Sequence, residues 1–381
     1  MYDIVTGLYV HIPFCPQHCP YCAFAVLTGH RHLYERYVDA VCLELQMWEP
    51  ARLGPFHTVY LGGGTPSMLA PRQLEQILHT ATLVGGIAAG AEVTLEANPT
   101  TVEALKFADI RRAGFNRLSL GVQSFSDMDL NVLGRFHDAS EGDAAYRRAR
   151  QAGFDNISID LMFSVPGTPR AHWTHTLEHA LNLAPEHIST YSLTIEEGTR
   201  FAQRHQNGRL IPVSEAEDEW CYAWTMERLE RAGYEQYEVS NFARQGYRSR
   251  HNWGYWTGIP YIGVGMSAHA YVDGRRQWNV SQIDTYLSLV EANRMPCAGT
   301  ESLEGWEKRQ EELWLQLRTC DGARLDTQEC QALERSDKFD TMRRNGWLRL
   351  DRQRLTLTRE GRMLADAIGL EIATLIEIHV G

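Results

Sequence analysis

Three cysteines crowd into eight positions near the start of the sequence, as Cys15, Cys19 and Cys22. Three thiolates so close together bind iron–sulfur clusters or zinc. Structural zinc sites and ordinary ferredoxin clusters use four protein ligands, and no fourth cysteine or paired histidine follows at a usual spacing. The motif therefore predicts a cluster with one iron open to a small molecule, and a structural zinc site is the minor alternative.

A run of three glycines, Gly62 to Gly64, forms a second motif and is followed by Thr65, Pro66 and Ser67. Glycine has no Cβ, so the backbone of such a run can approach a ligand closely. Taken alone, the run is more typical of a tight turn than of a binding site. Its interest lies in its position, one predicted β/α unit after the cysteines.

Short β-rich runs alternate with amphipathic helical segments up to about residue 270, which predicts a parallel sheet. An Ala-Gly pair followed by an aromatic residue recurs at 113–115, 152–154 and 232–234, as expected for the turn of one repeated unit. The carboxyl ends of such strands carry functional residues, and the cysteines directly follow the first strand. Strands are predicted at residues 8–12, 58–61, 92–96, 117–121, 158–161, 188–193 and 234–239, and helices at 31–48, 71–84, 100–113, 139–152, 171–183 and 215–232.

The pattern changes after Pro296. Helices are predicted at 304–318 and 323–345, then a hairpin of strands at 347–350 and 355–358, and a closing helix. This combination is winged-helix-like. Seven arginines between residues 343 and 362 make it locally basic, and a solvated face is favoured over a nucleic-acid surface.

The overall charge argues against nucleic acid as a partner. The 37 Lys and Arg residues are outnumbered by 48 Asp and Glu, which gives a net charge of −11, whereas phosphate binding needs clustered cations. No run approaches the roughly 20 apolar residues of a membrane span, and the first residues lack the features of a signal peptide. We therefore expect a cytoplasmic protein, and the sequence leaves peripheral membrane contact and a homodimer open.

The cysteine spacing, with Tyr21 before the last cysteine, resembles that of the radical S-adenosylmethionine (SAM) enzymes. The resemblance implies an α/β fold, an incomplete (β/α)6-type barrel with a small C-terminal winged-helix-like α+β domain. We expect domains at residues 1–240, 241–295 and 296–381. The resemblance also implies a [4Fe–4S] cluster on Cys15, Cys19 and Cys22, whose open iron binds SAM and whose electron cleaves it to a 5′-deoxyadenosyl radical. A flavodoxin- or ferredoxin-type protein is then the expected electron donor.

Further segments resemble the coproporphyrinogen-oxidase-like branch of that superfamily, over roughly residues 7–275. They lie at residues 8–15, 96–99, 121–125, 133–135, 159–161 and 251–256. SAM offers hydroxyl, ammonium and carboxylate groups to polar side chains. By position in the motifs, the resemblance implies cofactor binding by Tyr9, Tyr21, Gly63, Gly64, Thr65, Glu96, Gln123, Arg135 and Asp160.

Three features favour the haem-chaperone (HemW) group of this branch over the oxygen-independent coproporphyrinogen III oxidases. Phe24 stands where the oxidases have a further cysteine. Few residues precede Leu8, where the oxidases carry an extension. The segment His251-Asn252-x-x-Tyr255-Trp256 resembles the haem-associated motif of the chaperones. The oxidase reaction is the first alternative, and methyl transfer or cyclopropanation by a HemN-like enzyme is the second.

Haem and haem-accepting proteins are then the expected partners. Imidazole is a common ligand of haem iron, and aromatic rings pack on a porphyrin face, so His251 is the expected ligand, with Tyr255 and Trp256 beside it. A hydrogen-bonded core histidine is the alternative interpretation, and His269 is the second candidate ligand.

The sequence departs from the family pattern at two positions. Ala23, after the last cysteine, stands where Asp is common, and Ser164 stands where Gly is usual. Loss of a polar group beside a cluster changes its hydrogen bonding and hence its potential. Neither departure touches a cluster ligand, so we expect them to affect the tuning of the cluster and the choice of substrate but not the cluster itself.

Overall fold

The computed structural model describes residues 5–49, 53–101 and 104–380. Its strands are β1 (Val5–Ile12), β2 (Phe14–Cys15), β3 (Leu27–Thr28), β4 (Leu53–Gly63), β5 (Ile87–Ala97), β6 (Arg117–Gln123), β7 (Ile157–Phe163), β8 (His187–Ser192), β9 (Glu235–Gln236), β10 (Asn241–Ala243), β11 (Tyr261–Val264), β12 (His269–Val272), β13 (Arg275–Asn279), β14 (Cys297–Ser302), β15 (Ala323–Arg324), β16 (Leu348–Asp351) and β17 (Arg354–Leu357).

The helices confirm most of the predicted segments. They are α1 (Tyr34–Met47), α2 (Pro71–Val84), α3 (Ala104–Arg112), α4 (Asp127–Val132), α5 (Ala139–Gln151), α6 (Arg170–Leu183), α7 (Arg200–Gln206), α8 (Glu215–Arg231), α9 (Arg250–Thr257), α10 (Ile283–Glu291), α11 (Gly305–Leu317), α12 (Thr327–Glu334), α13 (Asp337–Arg344), α14 (Arg359–Arg362) and α15 (Ala365–Val380). Short 3₁₀ turns lie at Arg31–Leu33, Pro66–Met68 and Pro99–Thr101. The predicted helical region 323–345 begins with a short strand, Ala323–Arg324, and continues as two helices. Ser336 starts the second helix by accepting from the Phe339 N–H.

One large mixed sheet organises the chain, in the order β14-β13-β12-β11-β1-β4-β5-β6-β7-β8-β10-β9. Seven neighbouring strands, from β11 through β8, run parallel, and antiparallel strands extend both edges. The predicted incomplete barrel of six β/α units, formed by β1 and β4 to β8, is confirmed. The strand predicted at 234–239 is present but shorter, as β9 (Glu235–Gln236), and pairs antiparallel with β10. The seventh parallel strand is instead β11.

Alternation along the parallel strands separates an apolar face from a polar one. On β1, Leu8, Val10 and Ile12 are fully buried in the main core. The alternate positions, Tyr9 and His11, carry polar groups and face the inside of the curved sheet. The same alternation on the neighbouring strands lines the barrel interior with polar side chains, below the carboxyl-end face at which barrel folds carry their sites.

The C-terminal part has its own cluster of buried residues, including Leu313, Phe339, Leu355 and Ile372, around a three-stranded sheet in the order β15-β17-β16. Strand β14 pairs with β13 in the large sheet, although its residues lie within the predicted C-terminal domain. The domain boundaries therefore stay a prediction.

Helix α9 lies at the amino end of the barrel. The buried carboxylate of Glu92 accepts hydrogen bonds from the N–H groups of Arg250, at 3.0 Å, and His251, at 3.1 Å. This satisfies two of the unpaired donors at the start of a helix and places a negative charge at its positive end. Across the described ranges, we find no helix that is both long and apolar enough to span a membrane.

Candidate functional site

The three cysteines lie on the loop at the carboxyl end of β1, each as a partly exposed free thiol. The Cys15 Sγ lies 3.3 Å from the Thr65 hydroxyl. The Cys19 Sγ accepts from the Arg135 guanidinium at 3.7 Å and from the Gln17 amide at 3.9 Å. Such donors stabilise sulfur ligands of a metal centre. Among the described residues, no group of three or more His, Cys, Asp or Glu side chains is arranged so that it could hold a metal ion.

The three thiols are close enough to influence one another's ionisation. Burial, followed by repulsion from the Cys22 and Cys19 thiolates, raises the pKa of Cys15 to about 11. A positively charged centre offsets such repulsion and deprotonates its ligands. The donor set therefore fits an iron–sulfur cluster.

The glycine run packs directly against the cysteine loop. The Gly64 N–H donates to the Ile12 carbonyl at 2.8 Å, and the Thr65 N–H donates to the Phe14 carbonyl at 2.7 Å. A Cβ on Gly64 would lie 2.8 Å from both carbonyl oxygens, and one on Gly63 would lie 2.4 Å from the His11 ring. Gly63 also has a φ of 106°, which side chains disfavour. Only glycine fits here, so the run is a close approach of two loops and not a simple turn.

Two carboxylates face the barrel interior below these loops. Glu96 accepts from the Tyr60 hydroxyl at 2.7 Å and from the Gly63 N–H at 3.1 Å. Its pKa is raised to about 7, mainly by burial and further by the negative charge of Asp160. Asp160 accepts from Ser119 at 2.8 Å and Ser158 at 3.0 Å, and burial raises its pKa too. Glu96 is therefore partly protonated near neutral pH in the protein without ligands.

Arg135 connects the cysteine loop to β6. One guanidinium nitrogen donates to the Gly121 carbonyl at 2.7 Å, another faces Cys19, and the buried Nε has no hydrogen-bond partner within the part of the chain that is described. Tyr21 lies next to both Arg135 and Cys19. Gln123, at the end of β6, has a φ of 69°, a conformation that costs a non-glycine residue free energy and is common at ligand sites. An unpaired buried donor next to Cys19 and a strained residue at the end of β6 fit a site for a cofactor with acidic groups.

Tyr9 connects this end of the barrel with the other. Its hydroxyl lies 3.1 Å from the His11 Nδ1, while its ring stacks on those of Tyr60 and His251, with centroids 6.3 and 6.4 Å apart. The predicted site residues from Tyr9 to Asp160 and the three cysteines thus share the carboxyl half of one barrel. His251, Tyr255 and Trp256 lie on α9, at the amino end.

His251 is held on both sides of its ring. Its Nδ1 lies 2.9 Å from the Thr58 hydroxyl, its Nε2 lies 2.8 Å from the Tyr255 hydroxyl, and the residue is 4% exposed. Burial and the charge of Arg117 lower its pKa to about 3, so the ring is neutral. The ring is thus buried and hydrogen-bonded, as the alternative interpretation expects, and its role as a haem ligand stays a prediction.

Two cavities flank α9. The floor cavity, of about 320 Å³, is lined by Thr58, His251, Trp253, Tyr255, Tyr261, Arg250 and seven other residues near them. The side cavity, of about 680 Å³, is lined by Tyr255, Trp256, Tyr261, Tyr271, Arg276 and Lys308 among others. Both volumes suit small-molecule binding. His269 lines neither cavity, and its ring stacks on Trp278.

Several residues of these sites were missed by sequence analysis. Tyr60 touches both Glu96 and His251, Thr58 and Glu92 hold α9, and Arg117 is fully buried with two guanidinium nitrogens that lack partners among the described atoms. The strand residues could have been found from the sequence. Thr58, Tyr60 and Gly62 alternate with the apolar Val59 and Leu61, and such alternation is typical of a strand with one face toward a polar interior.

The two departures from the family pattern lie near the carboxyl end of the strands. Ser164 has a φ of 60°, which explains why glycine suits this position, and its hydroxyl donates to Asp218 at 2.5 Å. Ala23 is exposed beside Cys22, and the next residue, Phe24, is 67% exposed.

Comparisons with known proteins agree with this geometry. The model of the radical SAM superfamily matches residues 9–180. The chain is 38% identical to the heme chaperone HemW of Bacillus subtilis, with 84% of each chain covered, and 35% identical to that of Mycobacterium tuberculosis, with 95% of this chain and 93% of the relative covered.

Among solved structures, the coproporphyrinogen III oxidase HemN of Escherichia coli superposes with a TM-score of 0.82 at 22% identity, covering 98% of this chain and 90% of that one. This likeness concerns the fold. Together with the sequence relatives and the cysteine and glycine loops, it shows that the chain belongs to the HemW family of the radical SAM superfamily.

Proposed function

We propose that this protein is a haem chaperone that binds a [4Fe–4S] cluster and SAM at the carboxyl end of its barrel and haem at the amino end. The observation that carries the proposal is the position of the His251 to Trp256 segment. It forms the shared wall of two cavities, in a chain whose relatives are named heme chaperones over most of its length. Haem would be held there for transfer to haem-accepting proteins.

At the carboxyl end, Cys15, Cys19 and Cys22 would hold the cluster, which supplies an open iron for SAM. Arg135, with its unpaired buried Nε, is placed to bind a carboxylate. Glu96 and Asp160 would accept hydrogen bonds from ammonium or hydroxyl groups. Gly63, Gly64 and Thr65 let the backbone approach, while Tyr9, Tyr21 and Gln123 complete the walls. A flavodoxin- or ferredoxin-type protein would supply the electron.

At the amino end, aromatic rings and cations suit a porphyrin with propionate groups. Tyr255 and Tyr261 line both cavities, and Trp256 lines the side cavity with Arg276 and Lys308. Arg276 already pairs with Glu301 at 3.1 Å. Rings of this kind pack on a porphyrin face, and cations bind carboxylates.

The test is anaerobic reconstitution of the full chain, followed by iron and sulfide analysis and by titration with ferric haem. Saturable haem binding, and transfer of the haem to a haem-free globin, are expected. Coproporphyrinogen decarboxylation is assayed in parallel, since turnover would replace the chaperone function with the oxidase reaction. Absence of saturable haem binding would also overturn the proposal.

Two tryptophans provide a matched comparison for the haem position. Trp256→Ala should weaken haem binding by about threefold to tenfold, as expected for loss of an aromatic contact. Trp314→Ala alters a 41% exposed ring on α11, which does not line either cavity, and should leave haem binding unchanged.

A further inference from the structure

A groove of about 400 Å³ lies beside the cysteine loop, and we call it the loop groove. Its walls come from three segments, namely the cysteine loop, the turn that follows α4, and helix α7. Its lining includes Gln17, His18, Pro20, Phe136, Arg200 and Arg204. It shares no lining residue with the two cavities that flank α9.

Hydrogen bonds connect the three walls of the loop groove. The Gln17 amide donates to the Gly134 carbonyl at 2.5 Å, which joins the cysteine loop to the turn after α4. The Arg200 guanidinium donates to the His18 carbonyl at 2.8 Å, which joins the same loop to α7. The groove is therefore a built surface with a fixed position relative to the cysteines.

The loop groove borders Cys19. His18 and Pro20 are its neighbours in the chain, and the Gln17 amide that lines the groove also lies 3.9 Å from the Cys19 Sγ. A molecule in the groove thus contacts residues that touch an expected ligand of the cluster. The groove is suited to a partner that exchanges electrons with that cluster.

The loop groove is cationic, although the whole chain has a net charge of −11. Arg200 and Arg204 are both exposed, and Arg204 lies over the Phe201 ring, 5.9 Å from its centroid. Among the described residues, neither arginine forms an ion pair and no carboxylate lines the groove. Cations that are not neutralised attract and orient an acidic partner.

An exposed aromatic ring gives the loop groove an apolar contact point. Phe136 is 72% exposed, and Pro20 and Val132 line the groove with it. An aromatic anchor surrounded by polar and charged side chains is typical of a surface that binds another protein. The loop groove therefore combines charge and apolar area in the way that a protein partner needs.

We propose that the loop groove is the docking surface for an acidic one-electron carrier protein. The inference rests on the proposed function, in which a flavodoxin- or ferredoxin-type protein supplies the electron, and it names the surface that recognises this partner. Arg200 and Arg204 bind its carboxylates, and Phe136 packs on its apolar surface. With a reduced flavodoxin, the flavin is oxidised by one electron, the oxidised cluster gains that electron, and no bond forms or breaks.

The test uses the reconstituted full chain and an acidic bacterial flavodoxin as the probe. Calorimetric titration with the oxidised flavodoxin measures binding without any turnover. We expect saturable binding that weakens at least about tenfold when the salt concentration rises from about 20 mM to about 200 mM, because salt screens exposed charge pairs.

Two arginines provide a matched pair of charge reversals. Arg204→Glu should weaken flavodoxin binding at least about tenfold and reduce its salt dependence. Arg204 is chosen because, within the described ranges, it donates no hydrogen bond to the cysteine loop, unlike Arg200. Arg335→Glu makes the same change of charge at an exposed residue at the end of α12, which does not line the groove. It should leave the affinity within about twofold of the original.

Phe136→Ala tests the apolar contact separately from the charges. It should weaken flavodoxin binding about threefold to tenfold, as for a ring at a protein interface, while the dependence on salt stays as in the original protein. An unchanged affinity would remove Phe136 from the docking surface.

Stopped-flow reduction of the cluster gives a second measurement. Arg204→Glu should slow reduction by limiting amounts of reduced flavodoxin at least about tenfold. Reduction by dithionite should stay within about threefold of the original rate, because a small reductant needs no docking surface. Equal slowing with both reductants would show that the substitution alters the cluster itself and would overturn the inference.

The remaining outcomes separate this inference from the proposed function. Flavodoxin affinity that is the same in Arg204→Glu as in the original protein, or equally reduced in Arg335→Glu, would overturn the inference and leave the proposed function standing. So would a cluster-loaded protein that does not bind flavodoxin. A dimer that dissociates in Arg204→Glu, measured by sedimentation, would assign the groove to a second copy of the chain instead. Absence of an iron–sulfur cluster after reconstitution would overturn the proposed function at the carboxyl end.

Discussion

The two ends of the barrel are built in opposite ways. At the carboxyl end, two buried carboxylates come from strands β5 and β7, and three thiols and an unpaired arginine nitrogen come from the segments after β1 and α4. Burial raises the pKa of Cys15, Glu96 and Asp160. At the amino end, one helix is fixed by Glu92, and each nitrogen of His251 has a partner. The first site therefore leaves polar groups for a ligand to satisfy, whereas the histidine at the centre of the proposed haem site already has its hydrogen bonds.

The largest expected effect separates the two ends completely. Cys19→Ser should reduce the iron and sulfide content of anaerobically reconstituted protein to background, because a site with three protein ligands loses one of them. Ferric haem affinity should stay within about twofold of the original, since α9 lies at the other end. Cys297→Ser, which alters an exposed thiol on β14, should change neither quantity. Loss of haem binding in Cys19→Ser would show that the ends are coupled.

Glu92→Gln should act on the amino end alone. The amide keeps one acceptor oxygen but removes the charge at the start of α9, beside the buried Arg117. We expect the free energy of unfolding to fall by about 1–3 kcal/mol, as for other buried hydrogen bonds to charged groups, and haem affinity to fall with it.

The control is Glu141→Gln, which alters an exposed capping carboxylate on α5 and should cost about 1 kcal/mol or less. Urea denaturation measures both variants. If both variants lost the same free energy of unfolding, the burial of Glu92 would add nothing to the stabilisation of α9.

Glu96 should make SAM binding depend on pH. Its pKa is raised to about 7 by burial and by Asp160, and the ionised form is the one that attracts the SAM cation. SAM affinity of the reconstituted protein should therefore rise about tenfold between pH 6 and pH 8. Glu96→Gln should flatten this profile, as measured by SAM titration across that range.

Glu44 serves as the matched control, because burial raises its pKa to about 7 as well but its partners are Gly265, Asn279 and Tyr286. Glu44→Gln should leave the SAM profile intact. It should change stability instead: an acid whose pKa is raised by folding stabilises the protein at low pH, and this contribution is lost as the pH rises towards 7. A flattened SAM profile in Glu44→Gln would contradict the assignment to Glu96.

The smallest effect concerns Ser164. Ser164→Ala keeps the strained backbone and loses the hydrogen bond to Asp218, so we expect a loss of about 1 kcal/mol in the free energy of unfolding. Ser164→Gly loses the same bond but removes a backbone strain of about 1 kcal/mol, so its stability should stay close to the original. Denaturant unfolding distinguishes them, and equal values would mean that the positive φ carries no strain.

Local patterns predicted most of the architecture, and long-range contacts explain the failures. Helix α2 matches its predicted bounds, 71–84, because amphipathic periodicity and an initial proline are local signals. Strand β11 was missed because its four residues become a parallel strand only beside β1, more than 250 positions away. The cysteine ligands were predictable from spacing, whereas the bond between Thr58 and His251 joins residues 193 positions apart and leaves no local trace.

The thiol loop and helix α9 lie at opposite ends of the same strands, and this affects which faces of the protein its binding partners can use. A carrier of electrons and a recipient of cargo would approach different faces, so neither needs to leave before the other arrives. Under the proposed function, reduction at one end of the barrel and hand-over of haem at the other would not compete for the same face.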